Sequence, residues 1–143
     1  MISYGMSLLA RVLPDLVEGY YEGRHIAAST LEESNALPSR TLFPVFKKLS
    51  HVGYMTANTQ GYILFVDPKN LSIYQVLSAI QRLPYPSCSF KHDEGDENCM
   101  ICDMMTTSLD SLVMKLQNVT LYEFTENLKR QKKKHNTSFP INQ

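Results

Sequence analysis

No stretch of this chain approaches the run of about 18 apolar residues that a membrane helix requires. Nor does it contain a glycine-rich phosphate loop, a nucleophile elbow or a His-Glu-x-x-His motif. These absences argue against a membrane span and against the commoner catalytic designs. The opening segment, MISYGMSLLARVLPDLVEGYY, is apolar but carries Arg11, Asp15 and Glu18. It lacks a basic start and a small-residue cleavage site, so it does not read as a signal peptide. A cytoplasmic protein that is not an enzyme is expected. The four histidines, His25, His51, His92 and His135, are scattered, and the acidic run Asp93–Glu97 reads as a solvated loop. Net charge is also absent, with 14 Lys and Arg against 14 Asp and Glu.

What is present fits one domain. The chain has 143 residues, and 43% are hydrophobic, enough for a core. The zero net charge hides local imbalance. Residues 91–128 hold two basic and eight acidic side chains, whereas residues 129–143 hold five basic and none acidic. Around Arg40, Lys47 and Lys48 there is no acid.

Apolar residues at 6, 8, 9, 12, 13, 16, 17 and 20 predict a first helix, with Pro14 inside it as a kink or a late start. HIAASTLEES reads as a short second helix, with Ile26, Ala27, Thr30 and Leu31 on one side. NALPSR breaks the chain, and RTLFPVFKKLSHVGY reads as a third helix with Ser39 as its N-cap and Gly53 at its end. YMTANTQGYILFVD has two β-prone runs about a turn and predicts a hairpin. Ser72 with Gln75 forms a capping box for a fourth helix, and Thr120 with Glu123 forms another. Between them, residues 83–98 have no periodicity and read as a long loop. Residues 99–118 are helical again, with an apolar stripe of Ile101, Met105, Leu109, Leu112, Val113 and Leu116.

Three short helices followed by a hairpin describe a winged helix-turn-helix. The expected fold is mainly α with a small β-hairpin and a long C-terminal helix. The expected divisions are a winged domain over 1–82, a cysteine-bearing loop over 83–98, dimerisation helices over 99–131 and an unstructured basic tail over 132–143. In such a domain the second helix of the pair enters the major groove, and its early residues touch base edges. Those residues are Ser39, Arg40 and Thr41 here, with Lys47 and Lys48 nearer phosphates and Asn58 and Gln60 at the wing tip. Arginine pairs two guanine acceptors, and Ser and Thr read either kind of edge.

All three cysteines, Cys88, Cys99 and Cys102, lie in one short region. In a reducing compartment such spacing points to metal or redox chemistry rather than structural disulfides. Cys99 and Cys102 are three apart, on one face of a helix. A fourth donor is open: His92, Asp93, Asp96, Asp103 or a partner subunit's residue. Zinc accepts three Cys and a His. Iron–sulfur clusters usually take four protein ligands but accept other donors.

The whole pattern resembles the bacterial Rrf-type winged-helix transcription regulators, the IscR, NsrR and CymR kind. LPDLVEGYYEGRHIAASTLEESNALPSRTLFPVFKKLSHVGYM is similar to the family's first three helices, and GYILFVDPKNLSIYQVLSAIQ to its wing exit and next helix. VTLYEF resembles its ending, so the likeness spans roughly residues 2–128. The resemblance implies a homodimer that binds double-stranded DNA, with helix 99–118 crossing to the partner, although the same stripe also suits an intrachain core. It further implies that Cys88, Cys99 and Cys102 hold an iron–sulfur cluster that tunes DNA affinity. Zinc binding, thiol sensing without a cluster, or no cofactor are the alternatives. This chain departs from the family in its short Cys99-x-x-Cys102 gap without a proline and in an uncharged wing tip. The departures keep a second function in view, a winged-helix module that binds protein instead of DNA.

Overall fold

In a computed structural model the described residues are 3–82 and 100–138. Six α-helices and one hairpin follow in the order α1 (Tyr4–Glu22), α2 (Ala28–Ser34), α3 (Leu42–His51), β1 (Met55–Asn58), β2 (Gly61–Leu64), α4 (Ile73–Ile80), α5 (Met100–Asn118) and α6 (Leu121–Ser138). One 3-10 turn, Pro68–Asn70, joins the hairpin to α4. This is the winged helix-turn-helix that the element order predicted.

Helix α1 is the floor of the core. Ser3 starts it by accepting the Met6 N–H at 3.1 Å, and Gly23 ends it with φ at +69°. Its apolar positions recur with helical period, and Met6, Leu8, Leu9, Val12, Leu13, Leu16 and Val17 are all buried. Pro14 neither delays nor stops the helix, which begins well before it. The cost is local: without an N–H, residue 14 leaves the Ala10 carbonyl short of one helical bond. Over this floor pack Leu42, Val45, Phe46 and Leu49 of α3, Met55 and Leu64 of the hairpin, and Ile73, Val76, Leu77 and Ile80 of α4.

Helix α2 begins at Ala28, later than its sequence pattern suggested. Ile26 is instead drawn into the sheet. It exchanges both backbone bonds with Tyr62, at 2.9 and 2.8 Å, and so adds a third, one-residue rung beside the hairpin. That approach requires Gly61. A Cβ there would collide with the Ile26 carbonyl and the Ala27 nitrogen, and φ at Gly61 is +140°. The hairpin pairs Met55 with Leu64 and Asn58 with Gly61, which leaves Thr59 and Gln60 as a two-residue loop.

Helix α3 begins at Leu42, and its N-cap position is Thr41 rather than Ser39. No side chain at the cap position satisfies the helix. Glu32 does so from α2: its carboxylate, in a residue only 6% exposed, accepts the Leu42 N–H at 3.0 Å. A negative charge at the positive end of a helix is the favourable arrangement. The late start also settles Pro44. It falls third in the helix, where its missing N–H belongs to the orphan set in any case.

A backbone bridge ties the C-terminal helices to the start of α4. Ser72, the N-cap of α4, and Thr120 form an antiparallel bridge, with Ile73 N–H to Val119 O at 2.9 Å and Leu121 N–H to Leu71 O at 2.7 Å. Both expected caps are made: Ser72 and Gln75 form the complete capping box, and Thr120 Oγ1 accepts the Glu123 N–H at 3.1 Å. Farther along, Tyr21 donates to Asp67 at 3.0 Å and stands edge-on to Tyr122 of α6, 6.0 Å between ring centres. Desolvation, that hydrogen bond and the Asp67 charge push the Tyr21 pKa up to about 12, so the hydroxyl remains a donor at neutral pH. Helix α6 runs on to Ser138, beyond the expected boundary at 131. Lysine is a good helix former, and the first proline after this lysine run is Pro140. Among the described residues no helix is long and apolar enough to cross a membrane.

Replacing Glu32 with Ala leaves the Leu42 N–H without its acceptor inside the protein. We expect a loss of about 1–3 kcal/mol in urea unfolding, and a smaller loss for Glu32→Gln, which keeps an acceptor oxygen. Equal losses for the two variants would show that the charge, not the hydrogen bond, carries the effect.

Candidate nucleic-acid interface

The corner between α2 and α3 displays Arg40. Ser39 and Arg40 are exposed and lie in the turn before α3 rather than within it. Arg40 holds a left-handed backbone, φ +64°, which costs a residue with a Cβ about 1–2 kcal/mol. Its guanidinium has no hydrogen bond or ion pair with any described residue. The corner therefore presents an unpaired, planar, five-donor group just ahead of a helix N-terminus. Lys47, one and a half turns into α3, is also exposed and has no described partner.

Three other expected contacts are committed within the protein. Thr41 donates its hydroxyl hydrogen to the Pro38 carbonyl at 2.8 Å, closing the turn. Lys48 donates to the carbonyl of Ile80 at 3.0 Å, the last residue of α4. A cation at that negative helix end is an intramolecular C-cap, so Lys48 joins α3 to α4 and is not a free charge. At the wing tip Asn58 Oδ1 accepts the N–H groups of Gln60 at 2.8 Å and Gly61 at 3.1 Å. This is an Asx turn, in which the Asn58 side-chain oxygen shapes its own loop while the residue stays exposed. Thr59 and Gln60 remain exposed at the tip.

The sequence pattern missed two residues that shape this surface. Glu32 shares burial in α2 with Leu31, but nothing in the local sequence shows that it reaches the start of α3. Phe43 is 55% exposed although its neighbours Leu42, Val45 and Phe46 are buried. Its signal was legible as an apolar residue out of phase with the 42, 45, 46, 49 stripe.

Helix α5 spans 19 residues, and none of them is buried. Of the expected stripe, Ile101 and Met105 are 45% and 42% exposed, while Leu109, Leu112, Val113 and Leu116 are half-buried. Leu116 packs against the core. Met100, Met104 and Met114 are more exposed still. The stripe is thus mostly covered within the single chain toward its C-terminal half, and its open apolar surface is concentrated in the first turns, at Met100, Ile101, Met104 and Met105. Cys102 lies in the first turn of α5, partly buried. Cys88 and Cys99 lie outside the described residues, so the three-thiol arrangement is not placed here. Among the described residues no group of three potential metal ligands comes together.

No family model and no curated protein matches the chain. Solved structures do. The chain is similar to IscR of T. potens, with a TM-score of 0.70 at 17% identity over 92% of this chain and 90% of that one. It is similar to CymR of B. subtilis, described as the global cysteine regulator, with a TM-score of 0.72 at 17% identity over 87% and 95% of the two chains. The oxidized form of CymR from Staphylococcus aureus matches with a TM-score of 0.67 at 18% identity, over 88% and 96%. At such identities the likeness is one of fold, and it covers the C-terminal helices as well as the winged domain.

Lys48→Met removes the α4 C-cap but keeps the apolar stem. It should cost about 1 kcal/mol of stability in chemical unfolding. An unchanged unfolding midpoint would return Lys48 to the set of free surface cations.

Proposed function

We propose that the chain is a homodimeric, sequence-specific DNA-binding transcription regulator. The observation that carries this reading is Arg40: exposed, unpaired and held in a strained backbone directly before α3. Strain of this kind persists where the surrounding structure holds it, and it concentrates at functional positions. In a winged helix this is the point that meets base edges, and arginine there selects guanine. Lys47 serves a phosphate one turn farther along. The uncovered face of α5 supports the dimer, because two copies packed through it bury its Met and Ile side chains and set two Arg40 corners about a two-fold axis. Ser39, Thr41, Lys48, Asn58 and Gln60 remain candidate contacts in this reading, with Thr41, Lys48 and Asn58 also holding intramolecular hydrogen bonds.

The finer part of the reading concerns the effector. Cys88, Cys99 and Cys102 are proposed to hold an iron–sulfur cluster. Support comes from the clustering of three thiols in sequence and from the place of Cys102 at the start of α5. When bound, the cluster supplies a group whose loss or oxidation changes how the dimer helix is held. Zinc or bare thiols are the other outcomes of the same test. A winged-helix module that binds protein is the second functional reading, favoured by the uncharged wing tip, Asn58 to Gln60.

Band shifts on duplexes selected from a random pool test the main reading. Arg40→Ala should lose about 1–3 kcal/mol per half-site on the selected duplex and little on random DNA. Lys47→Ala should weaken both alike and lower the salt slope by about one per half-site. Failure of any duplex to outbind random DNA would favour the protein-binding module. For the effector, protein purified without oxygen should show a broad visible band with stoichiometric iron and sulfide, lost in Cys102→Ala. A colourless protein that contains zinc or no metal would refute the cluster.

A further inference from the structure

The first turn of α3 carries no polar side chain. Leu42 and Val45 are buried, and the two exposed residues are Phe43 and Pro44. A recognition helix that begins this way has no hydrogen-bonding group to offer a base edge until Lys47. The major-groove edges of unmodified base pairs present one apolar group, the C5 methyl of thymine. We infer that Phe43 reads a thymine methyl, next to the base taken by Arg40. This deepens the reading of the chain as a DNA-binding regulator and rests on it.

Three features support the assignment. Phe43 keeps 55% of its surface in water on a helix whose other apolar side chains, Leu42, Val45, Phe46 and Leu49, are packed away. Arg40 precedes it in the turn before α3 and Lys47 follows one helical turn later, both exposed and without a hydrogen bond or ion pair to any described residue. Those cations hold the helix against a polyanion, which places the ring at the bases rather than against a protein surface. Pro44 stiffens the backbone immediately after it, at no cost in helical hydrogen bonds. The ring has only two side-chain torsions to fix, so little entropy is lost when it seats. Specificity at this position is then a matter of shape and methyl burial, while Arg40 supplies the hydrogen bonds.

The test uses the full-length protein and its selected duplex. Each thymine is replaced in turn by deoxyuridine, which removes only the methyl. Wild type should lose affinity about fourfold at one position per half-site, the value of one buried methyl. Phe43→Ala should bind more weakly and be indifferent to that replacement, and Phe43→Leu should keep part of the discrimination. Because Phe43 is exposed, thermal unfolding of both variants should match wild type, which separates a lost contact from a lost fold. Tolerance of deoxyuridine everywhere in wild type, or equal sensitivity in Phe43→Ala, would overturn the assignment while leaving DNA binding intact. If no duplex is selected at all, the regulator reading fails first, and this inference fails with it.

Discussion

The carboxylate of Glu32, buried between α2 and α3, fixes where the third helix can begin. Its acceptor oxygen is within 3.0 Å of the Leu42 N–H, and the Thr41 hydroxyl closes onto Pro38 just before it. These two bonds bracket residues 39 and 40, which lie in the turn outside the helix. Arg40 is left in the left-handed region with its side chain outside. A buried acidic group is expensive unless it is satisfied. Here a helix N-terminus satisfies it, and the same contact holds α2 against α3. The start of α3 rests on this contact, and Arg40 and Phe43 lie on either side of it.

A second set of contacts makes the helices one frame. Lys48 of α3 caps the C-terminus of α4 through Ile80. The N-cap of α4, Ser72, is bridged to Thr120, which caps α6. Helix α5 therefore enters a junction whose other members are α4 and α6, and α4 in turn touches α3. Helix α5 joins this framework through its second half, where Leu116 packs against the core. It is long, rich in Met and Ile at its start, and without one buried residue. Most of its open apolar side chains, Met100, Ile101, Met104 and Met105, gather in its first turns.

Much of this was legible in the sequence. The period of α1, the two caps at Ser72 and Thr120 and the hairpin around residues 59 and 60 are local signals, and local signals appear as patterns. The fold class followed from their order, and the solved structures with the same fold agree with it. Contacts between segments distant in sequence were not legible. Glu32 reaches ten residues ahead, Lys48 reaches to Ile80, and Ile26 leaves its helix to pair with Tyr62. Two of these redirected an assignment made from neighbouring residues alone, the start of α3 and the start of α2, and the Lys48 bond ties α3 to α4. Asn58 is a different case. Its role in the turn was readable from the hairpin, and its side-chain oxygen closes the loop. The thiol site stays a matter of sequence, because two of its three cysteines lie outside the described residues.

Guanine N7 methylation interference on the selected duplex tests the central claim most directly, since it reports which major-groove edges the protein must reach. The account predicts strong interference at one guanine in each half-site, on opposite strands, separated by about one helical turn of 10–10.5 base pairs or a whole multiple of it, and its loss in Arg40→Ala. Interference at a single unrepeated position, or none at all, would contradict a symmetric pair of Arg40 corners in the major groove.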